Sequence, residues 1–319
     1  MEAPDFLSGA HGLPFAGIVT FNRAEHTQDL DGADLVVMGV PFDVGAINRP
    51  GARFGPRSIR QQSVYAGALQ PIYPWDERLT DAFRLVDYGD VAPVPGTGAV
   101  ESLLELTEAA AADVFAHGGS LLSLGGDHTL PYGPIRAAAK AFGKLAVVHL
   151  DSHQDSLDAD ALSDGGMVNH GTFATALVKE GHVDGARSTQ LYIRTLMDNP
   201  GGYTIVYAED ALELGPRALA AQVAELAGDA PVYISLDIDA IDPAFAPGCG
   251  TPVPGGPSSA EVRRFLRALD GLDVVAADIV EINPAYDPTE TTALVGAFLS
   301  FDLLHLMANA RRRRRAAVS

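Results

Sequence analysis

The sequence predicts an α/β fold, a mostly parallel sheet with helices on both faces. Two observations predict it. Apolar, β-branched-rich runs alternate along the chain with Ala-rich amphipathic stretches of helical period. Three of the apolar runs also stop in clusters of Asp and His, at the carboxyl ends of strands, where a parallel sheet presents its ligand-binding loops.

Strands are expected at residues 34–40, 85–88, 120–124, 145–150, 190–193, 203–207, 232–236 and 274–279. Helices are expected at 100–116, 134–142, 172–179, 216–226, 259–269 and 291–308. Ser258 or Ser259 would cap the helix beginning there, with Glu261 in its first turn. Residues 1–30, with His11, Gly12, Pro14 and Gly17, read as an irregular arm. No repeat, linker or composition break divides residues 31–310, so they read as one catalytic domain. Five arginines, Arg311 to Arg315, then open a basic tail over 311–319, read as solvated.

The chain has 319 residues, 47% of them hydrophobic and 20% charged, ordinary proportions for a soluble globular protein. With 22 basic and 41 acidic residues it carries a formal charge of −19. Such a surface repels nucleic acid and anionic membranes and draws cationic ligands. No apolar run looks long enough to span a bilayer, and no basic-then-apolar signal region opens the chain. One cysteine, Cys249, excludes an internal disulfide and fits a reducing compartment. A cytoplasmic enzyme is the expectation.

The chemistry lies just past three of the strands. Residues 120–124 run into Gly125-Gly126-Asp127-His128-Thr129, residues 145–150 into Asp151-Ser152-His153-Gln154-Asp155, and residues 232–236 into Asp237-Ile238-Asp239. In extended chain, Asp151, His153 and Asp155 share one side, as do Asp237 and Asp239. With His128 they bring too many like charges together to stand unpaired in a crevice; cations would remove the penalty. Four Asp and two His make an oxygen-rich site suited to Mn²⁺, with Zn²⁺ or Fe²⁺ as alternatives and Mg²⁺ less natural beside imidazole. The donors exceed what one catalytic metal needs, which points to a pair sharing carboxylates.

Each motif alone has a plainer reading. His128 after two glycines would be a loop residue, and a lone Asp-x-Asp a turn or helix cap. The three together carry the metal reading. His149 shares the parity of Asp151 but lies deeper in its strand, where a hydrogen-bonded core histidine is expected. Asp127, Asp242 and Asp278 read as acceptors that stabilise loops or support ligands. His11, His26, His117, His182 and His305 have no such context.

These segments resemble the ureohydrolases, the family of arginases, agmatinases and guanidino-acid hydrolases. The resemblance continues through Asp242-Pro243-Ala244-Phe245-Ala246-Pro247-Gly248, upstream at Gly39-Val40-Pro41-Phe42-Asp43 and Arg49-Pro50-Gly51-Ala52-Arg53-Phe54-Gly55-Pro56, and downstream at Asp278-Ile279-Val280-Glu281-Ile282-Asn283-Pro284. It implies a three-layer α/β/α domain around an eight-stranded, mostly parallel sheet, assembled as a homotrimer or homohexamer. It implies two Mn²⁺ ions per chain, one held by His128, Asp151, Asp155 and Asp237, the other by Asp151, His153, Asp237 and Asp239. Ser152 stands where alanine is commoner, and Gln154 is unusual for the family.

The expected reaction cleaves a guanidino compound to urea and an amine. A guanidinium resists neutral water, and two metals answer this by lowering the pKa of a bridging water to give hydroxide. The resemblance assigns Glu281 to the substrate guanidinium, Asp155 to the proton of the nucleophile, and His170 to proton shuttling. A capping role for His170 is the plainer alternative. Arginases place an asparagine for the α-carboxylate where this chain has Leu157, so agmatine is the first choice of substrate and 4-guanidinobutanoate or a related guanidino acid the second. A different binuclear hydrolase and a non-catalytic regulatory relative are the competing classes; the complete set of ligands argues against the latter.

Overall fold

The computed structural model describes residues 13–318, apart from 15, 94, 95, 159 and 161–167. Each expected apolar run becomes a strand: β2 (Leu35–Val40), β3 (Leu85–Asp90), β4 (Ser120–Gly125), β5 (Ala146–Leu150), β6 (Thr189–Ile193), β7 (Thr204–Tyr207), β8 (Val232–Asp237) and β9 (Val274–Val280). A ninth strand, β1 (Glu25–His26), joins one edge, giving the order β1-β3-β2-β4-β9-β8-β5-β6-β7. Every strand pairing is parallel. β2, β4, β5, β6, β8 and β9 are buried at every position, as a sheet covered on both faces demands.

The helices are α1 (Gly55–Ala68), α2 (Leu79–Ala82), α3 (Ala99–Ala116), α4 (Tyr132–Phe142), α5 (Phe173–Lys179), α6 (Ala208–Leu214), α7 (Pro216–Ala227), α8 (Ser259–Ala268) and α9 (Thr291–Val318). Alternation along each strand sends neighbouring side chains to opposite cores. Leu35, Val37, Leu122 and Val148 pack in one core with Ile59 of α1, Leu219 of α7, Phe265 of α8 and Leu303 of α9. Val36, Met38, Leu121 and Val147 pack in the other with Leu103 of α3, Ile135 of α4 and Phe173 of α5. Truncating a core ring such as Phe265 to alanine would cost ~3–5 kcal/mol. Ser258 caps α8: its hydroxyl accepts the Glu261 N–H at 3.2 Å, and the Glu261 carboxylate accepts the Ser258 N–H at 2.8 Å.

Four expectations need correction. Of the supposed arm, residues 1–12 and 15 lie outside the described residues, but its later part is tied down. Phe21 is fully buried against Phe301, and its N–H donates to Asp87 Oδ2 at 2.7 Å, which leads the chain into β1. Helix α1 has no counterpart among the expected helices, because its buried face includes the charged Arg60. That guanidinium holds Asp87 through two hydrogen bonds of 2.8 Å and reaches Asp90 at 2.5 Å. The arginine run is no solvated tail but the last turns of α9. Arg311 and Arg315 reach Asp34 Oδ1 at 3.0 and 2.6 Å, Arg313 reaches Asp270 at 3.0 Å, and Arg312 and Arg314 pair with Glu77 and Asp273. Finally, α9 contains a run long and apolar enough to cross a membrane, yet 78% of it is buried within the protein, the position of a core helix.

Candidate metal centre

β4, β9, β8 and β5 are neighbours at the middle of the sheet, and their carboxyl ends carry the candidate residues. Beyond β4 the chain turns tightly: Gly126 N donates to Val40 O at 3.1 Å and Asp127 N to Phe42 O at 2.7 Å. A side chain at Gly126 would collide with the carbonyl oxygen of Phe42, so only glycine fits. Asp127 accepts the N–H groups of Thr129 (3.1 Å) and Gly45 (3.0 Å), securing the loop that presents His128.

The other candidate ligands converge through turns rather than strand alternation. β5 ends at Leu150, and Asp151 folds back to accept the His153 N–H at 2.6 Å. Asp237 does the same for the Asp239 N–H at 2.8 Å, inside the turn Ile238–Ala240. Both are Asx turns, which short carboxylate side chains favour. Asp155 sits at φ 48° and Glu281 at φ 64°, left-handed conformations unusual for residues with a Cβ.

His128 Nδ1 lies 3.1 Å from Asp151 Oδ2, 3.1 Å from Asp155 Oδ2 and 3.3 Å from Asp237 Oδ2. Its Nε2 is 2.9 Å from Ser235 Oγ, and Ser235 in turn donates to Asp278 Oδ1 at 2.9 Å. Since the serine proton goes to Asp278, Nε2 must carry the hydrogen, and the Nδ1 lone pair faces three carboxylates. This buried nitrogen has no hydrogen-bond partner. A lone pair among anions needs a cation. The donor set therefore fits a metal ion.

A second group adjoins the first. His153 Nδ1 lies 3.1 Å from Asp239 Oδ2 and 3.4 Å from Asp151 Oδ1. Asp239 Oδ1 accepts both the N–H (3.0 Å) and the hydroxyl (2.7 Å) of Ser152. Donor atoms of His128, His149, Asp151 and Asp155 lie within 4.8 Å of one another, as do those of Asp151, His153 and Asp239, so Asp151 belongs to both groups.

Electrostatics without cations record the same crowding. Burial, then Asp239 and Asp151, push Asp237 well above the carboxylate range; burial and Asp151 raise Asp239. Against its burial, Asp151 is held well below that range by His128, His149 and His153. His153 is drawn up to about 12, its burial outweighed by Asp151 and Asp239. Two cations would take over what these protons do.

Glu281 comes directly after β9, beside this cluster. Its N–H donates to Gly126 O at 2.8 Å, and its Oε1 accepts the His128 N–H at 3.0 Å. Burial and then Asp127 raise it to about 8. The ring of His170 stands against Gly45 and Asp127, and its Nδ1 is shielded without a hydrogen-bond partner. Leu157 is 39% exposed and touches the same loop, its N–H donating to Gly171 O at 2.9 Å. Gln154 does not face the crevice: it is fully buried, and its Oε1 accepts the Met197 N–H at 2.7 Å.

Residues 33–305 match the Arginase family. The chain belongs to that family. An agmatinase of Photorhabdus laumondii subsp. laumondii is 41% identical over 280 residues, 88% of this chain and 89% of its own length. Among solved structures, a hypothetical agmatinase from Burkholderia thailandensis superposes with a TM-score of 0.88 at 38% identity, covering 95% of this chain and 93% of that one. The proclavaminate amidino hydrolase of Streptomyces clavuligerus gives a TM-score of 0.85 at 36% identity, covering 93% and 99%. This arginase-family sheet has nine strands where the resemblance implied eight; the extra one is the two-residue β1.

Gln190 was not singled out by sequence. Buried on β6, its amide lies 3.1 Å from His149 Nδ1 and also donates to Gln154 O. With a donor on Nδ1, His149 carries its hydrogen on Nε2 and gives it to Asp151 Oδ2 at 2.9 Å. One amide thus orients the shared carboxylate through His149 and pins the backbone just before Asp155. A polar residue buried in an apolar strand was the available signal.

Proposed function

We propose that this protein hydrolyses agmatine to urea and a diamine with a pair of Mn²⁺ ions. It is a metal-dependent hydrolase of guanidino carbon–nitrogen bonds. The observation that carries the reading is Asp151, shared between two adjoining groups of donors. His128, Asp151, Asp155 and Asp237 would hold one ion, and Asp151, His153, Asp237 and Asp239 the other. The oxygen-rich donor set with two imidazoles favours Mn²⁺. When bound, the pair supplies the Lewis acidity that lets water attack near neutral pH.

The chain's own residues do the rest. Glu281 keeps one oxygen on the His128 N–H and offers the other to the substrate guanidinium. An arriving cation favours its anionic form, against the burial that raises its pKa. Asp155 accepts a proton as water attacks, and His170, with an unengaged Nδ1 beside Asp127, relays one to the leaving amine. Leu157 offers no hydrogen bond to an α-carboxylate, and the net charge of −19 favours a dicationic substrate. The curated relatives of matching length named agmatinase support the same choice.

One observation favours a second reading, a guanidino acid. Arg49 lies over the Tyr286 ring at 5.1 Å and has no ion pair with a described residue, so it is free to meet a carboxylate. A homotrimer or homohexamer in the cytoplasm completes the proposal, the cytoplasmic placement being consistent with the single, buried Cys249.

Urea release from agmatine, 4-guanidinobutanoate and arginine by Mn²⁺-loaded protein tests this. Agmatine is expected to exceed arginine in kcat/KM by roughly one to two orders of magnitude, the ~1.5–3 kcal/mol of a missing hydrogen bond to a charged group. Preference for 4-guanidinobutanoate would install the second reading. No urea from any of the three would overturn both.

A further inference from the structure

Acidic residues outnumber basic ones 41 to 22, yet four arginines line one surface cleft of about 520 Å³. Arg217 comes from the first turn of α7, and Arg263, Arg264 and Arg267 come from α8; Tyr73 and Pro74 form a less polar wall. The cleft lies away from the metal centre's residues and has no part in the reaction derived above.

Two of the arginines are held from behind. The buried carboxylate of Asp302, on α9, accepts from Arg263 Nε at 2.7 Å and from Arg267 Nε at 3.0 Å, and also from Trp75 Nε1 at 2.8 Å. Arg263 is further fixed over the Phe298 ring at 4.9 Å. These contacts set the guanidinium planes in advance, so little ordering remains when a ligand arrives. Arg267 Nη2 is shielded from water and has no acceptor, a state that leaves a charged donor uncompensated. Arg217 and Arg264 are exposed and make no ion pair with a described residue. Beside the cleft, Glu77 is engaged by Arg312 and Asp270 by Arg313.

We propose that this cleft is a binding site for a small molecule bearing two linked phosphoryl groups. Four guanidinium charges stand against the single Asp302 carboxylate, leaving three positive charges. A phosphoryl group carries about −1.5 to −2 at neutral pH, so two of them match that excess where one does not. Guanidinium forks fit phosphoryl oxygens in pairs. The exposed Tyr73 ring offers a face to whatever organic group the phosphates carry.

The test is calorimetric titration of metal-loaded protein, freed of excess metal, with inorganic pyrophosphate and with inorganic phosphate at physiological salt. The comparison protein carries Arg217→Ala and Arg264→Ala, two exposed changes outside the catalytic machinery. Pyrophosphate should bind the natural protein saturably and the double variant at least tenfold more weakly, and phosphate should bind the natural protein more weakly than pyrophosphate does. Urea release and sedimentation should be the same for both proteins. Absence of saturable binding overturns the proposal. Equal binding by both proteins also overturns it, by placing the anion at the metal centre, and a changed oligomeric state in the variant overturns it by showing that the arginines face a second copy of the chain.

Discussion

The two ends of the strands treat charge in opposite ways. At the amino ends, each arginine of the 311–315 run has a carboxylate to itself or shares one, through Asp34, Glu77, Asp270 and Asp273. At the carboxyl ends, four aspartates and two histidines crowd together, with Asp155 and Glu281 in left-handed backbone conformations beside them. Paired charges spread over a surface fasten a helix. Unpaired charges forced together make a place for cations. The contrast teaches that the number of charges in a region says little; whether each has a partner from its own chain says what the region is for.

The comparison breaks most severely at Asp237. Asp237→Ala removes a donor from the crowded end, and metal content and urea release should fall together, activity by more than the roughly 10–100-fold typical of residues that merely support a ligand. Normal metal content by elemental analysis would refute its assignment as a ligand.

Glu281 separates substrate binding from metal binding at the same end. Truncation to alanine should lower kcat/KM by roughly thirty-fold to a few thousand-fold, ~2–5 kcal/mol for a desolvated charge pair, with both metals and the fold retained. Loss of metal in that variant would assign Glu281 to the architecture of the site instead.

Gln190 sharpens the point about partners. Gln190→Met frees His149 Nδ1 and should weaken metal binding roughly 10–100-fold while leaving circular dichroism unchanged. Isothermal titration showing undiminished affinity would dismiss its orienting role.

The amino ends should be far more forgiving. Arg313→Ala breaks a largely exposed pair with Asp270 and should cost only ~0.2–1 kcal/mol in denaturant unfolding, with kcat unchanged. A loss of several kcal/mol would mean that the run acts as one network and not as separate pairs.

Legibility in the sequence divides along the same line. Eight strands could be read because each is built on an apolar, β-branched-rich run, and β1 could not because two exposed residues carry no pattern. Helix α1 hid because Arg60 and Ser63 lie on its buried side, where the distant Asp87 and Asp90 make a charge tolerable. The arginine run looked solvated because its partners, from Asp34 to Asp273, are scattered along the chain. That these residues converge was visible in the spacing at Asp151-x-His153-x-Asp155, but the reason for their convergence was not. Extended alternation was expected, and Asx turns bring the ligands together instead. Gln190 stayed hidden because its partners His149 and Gln154 become neighbours only when β5 and β6 pair.

Strand order has a consequence for synthesis. β9, the last strand made, lies between β4 and β8, so it joins one half-sheet of β1 to β4 to another of β5 to β8. His128 belongs to the first half, and Asp151, His153, Asp155, Asp237 and Asp239 to the second. Asp34 waits longer still for Arg311, 277 positions on. At about 5–20 residues per second, that interval is roughly 14–55 s on a ribosome. Until β9 slots in, a nascent chain holds two open sheet edges, and His128 stays apart from the other five candidate ligands.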